Sequence, residues 1–581
     1  MTVQARFVSH PASGLDWSLN LARPERVLQA RSLDEVAPVL DALEAQALAG
    51  RWVALMIAYE AAPALDDALT THSAGDFPLA WGAVFNEPQP SDPAPGKTLD
   101  PNDWRPLVSR NQYLSNLDAI RAYIRQGESY QVNYTLPFEC IQPPHGLDWF
   151  SSLLPAQQAG LAAYLDMGRF QVLSFSPELF FHRRGLLRTR PMKGTMPRGR
   201  WPEEDDARAR QLAACPKNRA ENVMIVDLLR NDLGKIAVPG GVRVPELFRV
   251  ERYPTVLQMT SSVEAELREG VVFVDILRAL FPCGSVTGAP KARTMQIIRE
   301  LEPFPRQAYC GAVGLLKPGG EAILNVPIRT IVADRERRRA RFGVGGGITW
   351  GSSPVEEWEE CVTKMAFLDR PDEEFELLES LLLRDGAYVF LQKHLDRMRT
   401  SAGYFGFAFR EPAALQALEH LRTQHSAGRH KVRLLASADG SVRVEAAPLL
   451  DDPPEPVRLG LASEPVDSQD AFLFHKTTRR EVYDRARASR PECDDVVLAN
   501  ERGEVTESSF ANLVALIDGE LLTPARVCGL LNGTFRSVLL KSGLARESRL
   551  SLDDLRGASL LWLINSVRGW RQAVLAEEEF D

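Results

Sequence analysis

Residues 169–197 read RFQVLSFSPELFFHRRGLLRTRPMKGTMP. Their apolar runs predict two adjacent strands, one carrying Ser176-Pro177-Glu178 and the other Pro191-Met192-Lys193-Gly194-Thr195. Glu178 and Lys193, fifteen residues apart, would then stand side by side. An acid beside an amine suits displacement of a hydroxyl from a small carboxylate-bearing ring. An alcohol leaves poorly unless protonated, so Glu178 would be the general acid. Lys193 would be the nucleophile, and an unperturbed lysine needs roughly 4–5 kcal/mol to lose its proton at pH 7, so the pocket must lower its pKa. On spacing alone, the two could equally form a cross-strand surface ion pair.

Outward from this stretch, strands and helices interleave. YLSNLDAIRAYIRQG (113–127), AENVMIVDLLRNDL (220–233) and KARTMQIIRELE (291–302) have helical periodicity, while EAILNVPIRTIVAD and RARFGVGGGIT read as strands. An α+β multidomain chain with a large mixed core is expected. Residues 86–104 are rich in proline and acid and predict a surface connection. At LDRPDEEF (367–374) a helix ends and a strand-rich texture begins. The main boundary therefore falls there, with domains at 1–368 and 376–581 joined by a linker at 369–375. Beyond it, KVRLLASADGSVRVEAA and DDVVLANERGEVTESSFANLVALIDGELLTP read as hairpins, TFRSVLLKSGL as a short helix, and LLDDPPEPVRLG (449–460) as a hinge between two small subdomains.

The totals narrow the classes. At 581 residues the chain is too long for one core, and 45% hydrophobic with 25% charged residues is an ordinary globular composition. A net charge of −9 with dispersed basic residues argues against nucleic acid or a membrane surface as partner. The seven cysteines are odd in number, widely spaced and never C-x-x-C, so a reducing cytoplasm is the expected setting. The start MTVQARFVSHPASG has no basic-then-apolar signal, and a soluble protein is expected.

Further carboxylates cluster. Glu221 opens a helical run, and Glu357 and Glu360 share one helical face in PVEEWEECVTKM. Hard oxygen ligands of this kind suit Mg2+ gripping a substrate carboxylate, although such a run is also the usual solvated acidic face. Glu356 and Glu359 fall a step around the helix and are assigned to solvent.

The string FSPELFF with RTRPMKGTMPRG, then FPCGSVTGAPKARTMQIIRELEP and P-x-x-E-W-x-E, resembles the chorismate-utilising enzymes over roughly residues 50–368. The resemblance implies an anthranilate synthase component I-like mixed α/β sandwich. It also implies metal binding by Glu221, Glu357 and Glu360, and substrate binding by Tyr309, Arg329, Gly345, Gly346, Gly347 and Lys364. Arg329 suits bidentate carboxylate recognition. Without the resemblance, the triple glycine is a flexible turn and Arg329 an ordinary strand arginine. Lys193 stands where anthranilate synthases carry alanine, and Gln258 where they carry histidine, which is similar to aminodeoxychorismate synthase component I. No glutaminase signature is present in the sequence, so ammonia would come from solvent or a separate glutamine amidotransferase subunit.

The second half, from FELLESLLLRDGAYVFLQKHLDRMRTSA, resembles the fold-type IV pyridoxal-phosphate enzymes. That group holds branched-chain and D-amino acid aminotransferases and aminodeoxychorismate lyase. Lys476 in FLFHKTTRR matches the Schiff-base lysine, and Glu507 the acid on the pyridine nitrogen. Arg397, Thr534, Phe535 and Ser566 match the binders of the cofactor phosphate, with a helix start at Gly533-Thr534 suited to an anion. Taken singly, the lysine could be a surface residue, Glu507 a hairpin cap and GTFR an ordinary helix start.

Together the resemblances imply amination of chorismate to 4-amino-4-deoxychorismate, followed by expulsion of pyruvate to leave p-aminobenzoate, a folate precursor. Mg2+ and pyridoxal 5'-phosphate would be the cofactors, and the C-terminal domain admits a homodimer. The rivals are an anthranilate-type synthase fused to an aminotransferase, and a synthase carrying a catalytically silent C-terminal interaction module.

Overall fold

The computed structural model describes residues 3–9, 15, 17–89, 103–157, 160–253, 256–365, 368, 375–449 and 455–576. It divides into two compact units, Met1–Pro197 with Ala209–Asp372, and Arg198–Arg208 with Glu373–Asp581. The expected first domain is thus interrupted, because residues 198–208 pack with the second unit. The expected connection at 86–104 and the linker at 369–375 lie largely outside the described residues, as do residues 450–454 of the expected hinge, whose end instead enters the strand Val457–Leu461.

Two chain passages through prolines shape the first unit. Phe170–Ser176 belongs to a nine-stranded sheet and Leu179–Arg184 to a ten-stranded one, with Pro177 between them. Ala322–Asn325 and Thr330–Asp334 cross in the opposite direction around Pro327. Each segment read from sequence as a single strand is therefore two. Proline cannot donate to a ladder, so both ladders end there and the chain turns to the other sheet. The passages hold each other: Val326 N donates to Glu178 O at 3.1 Å, Phe175 N to Arg329 O at 3.1 Å, and Ser176 Oγ to Val326 O at 2.5 Å. Glu178 and Arg329 are thereby placed at one crossing.

Lys193 arrives by a similar interruption. Leu186–Arg190 pairs with Leu179–Arg184 on one side and with Val256–Leu267 on the other. After Pro191 the chain continues along Val256–Leu267 as Met192–Pro197, with a register shift between Met192 and Thr195. A bulge re-aims the side chain within it, and Gly194 takes the left-handed φ of +98° there. The main apolar core lies between the two sheets, joining Phe7, Leu165 and Val172 of one to Leu55, Phe181 and Leu324 of the other. On the first sheet's outer face, helices Arg110–Arg125, Gly146–Gln157 and Lys291–Leu301 contribute to a second cluster, with Leu117, Phe150 and Ile297 packed around Tyr134 and Phe175.

In the second unit, helices Leu391–Phe405 and Glu411–Gln424 share a core with a four-stranded antiparallel sheet. An eight-stranded mixed sheet follows. The hairpin Asn512–Ile517 to Glu520–Pro524 turns through Asp518 and Gly519 at φ +51° and +82°, as its Asp-Gly predicts.

Ser176 tests the crossing. Its buried hydroxyl donates to Val326 O and accepts from Glu178 N. Ser176→Ala leaves both groups unsatisfied and should destabilise the first unit by about 1–3 kcal/mol. Urea unfolding followed by tryptophan fluorescence checks this, and an unchanged midpoint would refute it.

Candidate active sites

In the first unit, Arg339–Ile348 supplies a floor with no side chains at Gly345, Gly346 and Gly347. A Cβ on Gly345 would lie 2.2 Å from Tyr134 O, so the neighbouring strand demands glycine there. A Cβ on Gly346 would meet Glu357 Oε2 at 3.0 Å and Lys364 Nζ at 4.0 Å. On Gly347 it would meet Gln131 Nε2 at 2.4 Å and Lys193 Nζ at 2.8 Å. The absent side chains therefore let three sequence-predicted residues, Glu357, Lys364 and Lys193, come close to this strand. Lys364 Nζ donates to Gly345 O at 2.7 Å and pairs with Glu360 at 2.7 Å.

Glu178 is buried, and Ser285 Oγ donates to its Oε1 at 2.7 Å. Burial pushes its carboxyl up to about 7 against the pull of Ser285 and Lys193, so a large neutral fraction exists near pH 7. Burial lowers the Lys193 amine, opposed by Glu221, Glu178 and Glu360 and assisted by Lys364. The acid and the amine thus feel each other while desolvation favours the neutral form of both. Gln258 braces the lysine's turn, accepting from Thr195 Oγ1 at 2.9 Å and donating to Gly194 O at 2.9 Å. Asn222 Nδ2 donates to Lys193 O at 3.4 Å, and its Oδ1 accepts from Ser261 Oγ at 2.6 Å.

Tyr309 lies under the same strand, where a Cβ on Gly343 would strike its ring at 2.4 Å. Arg329, at φ +51°, is desolvated enough to lower its pKa, with Tyr253 opposing. Glu357 is half-buried, and its carboxyl is raised by burial and by Glu360 nearby, with Ser352, Lys364 and Lys217 opposing. Glu356 and Glu359 are exposed, as assigned from sequence, but Glu360 is exposed as well. Among the described residues no three His, Cys, Asp or Glu side chains form a ready-made metal cluster. Glu360 raises the Glu357 carboxyl and, with Glu221, holds up the Lys193 amine, so three hard oxygen donors of the kind a divalent cation takes bear on one site.

Sequence reading missed Gln131 and Ser285. Gln131 is fully buried with both side-chain amide atoms unpartnered, beside Lys193 at the Gly347 floor. An uncharged residue in a strand gives no titration or motif signal. Ser285 lay within the Gly-rich stretch 281–303, whose backbone alone drew attention.

In the second unit, burial lowers Lys476 to about 8, with Arg397 and Arg480 assisting and Glu379 and Glu507 opposing. Burial raises Glu507 to about 7. Glu507 accepts from Tyr483 Oη at 2.8 Å, Asn512 Nδ2 at 2.9 Å and Leu531 N at 3.1 Å. Arg397 is engaged on all three nitrogens: its Nε and Nη2 grip Glu379 at 2.7 and 2.6 Å, and Nη1 donates to Asn532 O at 3.2 Å. Glu379 also contacts His394 Nδ1 at 2.6 Å. Burial would raise Glu379, but Arg397 and His394 bring it down to about 2, so it stays charged. Thr534 opens the helix Thr534–Lys541, with Phe535 next to it. Ser566 Oγ reaches Ser380 O at 3.4 Å. A Cβ on Gly533 would lie 1.9 Å from Asn512 Oδ1, so the backbone there runs against the residue that holds Glu507. The half-buried lysine, the buried acid that acts on it, the helix start and the unpartnered His394 Nε2 fit a phosphorylated pyridine cofactor.

Comparison with known proteins follows this division. Residues 82–370 match the family described as chorismate binding enzyme, and residues 376–575 match amino-transferase class IV. Aminodeoxychorismate synthase component 1 of Klebsiella aerogenes is 44% identical over 45% of this chain and 58% of its own length. Anthranilate synthase component 1 1 of Haloarcula marismortui is 35% identical over 61% of this chain and 75% of its own length. The solved anthranilate synthase component I from Streptococcus pneumoniae superposes with a TM-score of 0.53 at 23% identity, covering 63% of this chain and 92% of that one, a likeness of fold. The chain spans about half the length of several curated relatives, 58% of the Klebsiella protein and 39% of a Streptomyces griseus aminodeoxychorismate synthase.

The lowered Lys193 amine is directly measurable. Reductive methylation read by peptide mass spectrometry should give Lys193 an apparent pKa below the ordinary lysine value. Glu178→Gln removes a charge that holds the Lys193 pKa up and should lower it further. An ordinary lysine value at Lys193 would contradict the site's electrostatics.

Proposed function

This chain belongs to the chorismate-binding enzyme family, and from that premise we propose that it makes p-aminobenzoate from chorismate in two consecutive steps. The carrying observation is that one chain holds two couples of a half-buried lysine and a buried glutamate, Lys193 with Glu178 in the chorismate-binding unit and Lys476 with Glu507 in the class IV unit.

In the first step, neutral Glu178 gives its proton to the departing ring hydroxyl, while Ser285 fixes the carboxyl's orientation. Uncharged Lys193 Nζ adds to the ring as the C–O bond breaks, and water leaves. Ammonia then adds at the ring and the Lys193 bond breaks, so the lysine is regenerated and 4-amino-4-deoxychorismate departs. Arg329 and Tyr309 bind substrate beside the Gly345–Gly347 floor. Mg2+, held by Glu221, Glu357 and Glu360, supplies a Lewis-acid grip on a substrate carboxylate. Ammonia comes from a separate glutamine amidotransferase.

Pyridoxal 5'-phosphate, held by Lys476, Glu507, Arg397, Thr534, Phe535 and Ser566, supplies an electron sink for bonds beside the substrate amine. Lys476 Nζ, with its pKa near 8, takes the C4 proton and delivers it as the enolpyruvyl group leaves as pyruvate. Glu507 stands ready to share a proton with a heterocyclic nitrogen. No helix among the described residues is long and apolar enough to cross a membrane. The resemblance of the Lys193 motif to aminodeoxychorismate synthases favours a para product over an ortho one.

Product analysis after incubation with chorismate, Mg2+, pyridoxal phosphate and ammonium tests the reading. It expects p-aminobenzoate and pyruvate in equal amounts; anthranilate would overturn it. Lys193→Ala should stop amination while leaving pyruvate release from added 4-amino-4-deoxychorismate intact, whereas Lys476→Ala should let that intermediate accumulate. For the first step, kcat/KM should fall as pH rises through about 7, because Glu178 must be protonated to act. A flat profile across that range would remove Glu178 from the acid role.

A further inference from the structure

Residues 198–208 begin five positions after Lys193 and lie inside the stretch matched to the first family, yet they group with the second unit. There they meet the segment that ends in Lys476. Arg200 is 8% exposed, and its Nη1 donates to Ser468 O at 3.1 Å and Val527 O at 3.3 Å. Glu204 clamps its other edge at 3.0 and 2.9 Å. Trp201 packs on Phe474 with ring centroids 4.9 Å apart, and the Arg200 guanidinium lies 5.3 Å over the same Phe474 ring. Tyr404 Oη donates to Gly199 O at 2.8 Å, Arg198 lies 4.4 Å over the Tyr404 ring, and His475 stacks on the same ring with centroids 4.4 Å apart.

Phe474 and His475 immediately precede Lys476. Trp201 also joins the apolar cluster of Phe474, Val496 and Tyr483, and Tyr483 is a hydrogen-bond donor to Glu507. One short segment therefore braces the backbone of the lysine and the partner of the acid. Its tight turn needs glycine, since a Cβ on Gly199 would fall 2.0 Å from Asp205 N.

We propose that Arg198–Arg208 is a working part of the second active site, in which Arg200 and Trp201 are positioning residues that fix Phe474 and His475 and thereby aim Lys476. The proposal rests on the reading of Lys476 as the second site's lysine and not on the identity of its substrate. It follows that residues 376–581 lack a wall of their own site.

The test uses the full chain with Arg200→Ala, Trp201→Ala and Arg200→Lys. Hydrogen exchange of the peptide spanning 472–478, measured without substrate or cofactor, should be about tenfold faster in both alanine variants. Pyruvate release from added 4-amino-4-deoxychorismate should lose kcat by about tenfold or more with little change in KM, as expected of a misaimed group. Consumption of chorismate should be unchanged, and Arg200→Lys, which keeps a donor for the carbonyls, should restore most of both signals. Wild-type exchange at 472–478 in the alanine variants would overturn the proposal. So would equal loss of both activities in all three variants, which marks general unfolding. Absence of pyruvate with the unmutated chain would defeat the lyase reading instead, and the exchange result would still decide the role of Arg200 and Trp201.

Discussion

Desolvation of a lysine beside a glutamate is the constraint on which both halves depend. In water the pair would be fully ionised and chemically inert as acid and nucleophile. Buried, Glu178 rises to about 7 while Lys193 falls, and Glu507 rises to about 7 while Lys476 falls to about 8. Their mutual attraction works against the shift, so the walls must exclude enough water for desolvation to win. A direct contact ion pair would restore both charges. The site instead gives Glu178 a hydroxyl partner in Ser285 and Glu507 the donors Tyr483, Asn512 and Leu531 N.

The contrast with Glu379 shows what a committed charge looks like. Equally buried, it accepts the guanidinium fork of Arg397 and a bond from His394, and it stays ionised down to about pH 2. Charge-assisted, two-pronged bonding outweighs burial there. The second unit thus keeps one acid permanently charged to hold an arginine and another poised near neutrality to exchange protons.

Backbone geometry supplies the rest. The two proline passages carry Glu178 and Arg329 to one crossing, and the bulge at Gly194 re-aims Lys193. The Gly345–Gly347 strand has no side chains, so Glu357, Gln131 and Lys193 come close to its backbone. These are departures from regular sheet, and they occur where chemistry is required.

Much of this was legible in the amino-acid sequence. Helical periodicity, Asp-Gly turns, the acid and lysine motifs and the triple glycine are local signals, because propensity and spacing act over a few residues. The sequence by itself determined most element types and the division into two halves, and it singled out Glu178, Lys193, Lys476 and Glu507 as candidates. It could not show that RFQVLSFSPELFFHR divides between two sheets, that Gln131 comes to lie unpartnered beside Lys193, or that Arg200 and Trp201 pack against the segment leading into Lys476. Those depend on contacts between residues far apart in the chain, and on burial, which sets a pKa only once the walls around a side chain have closed.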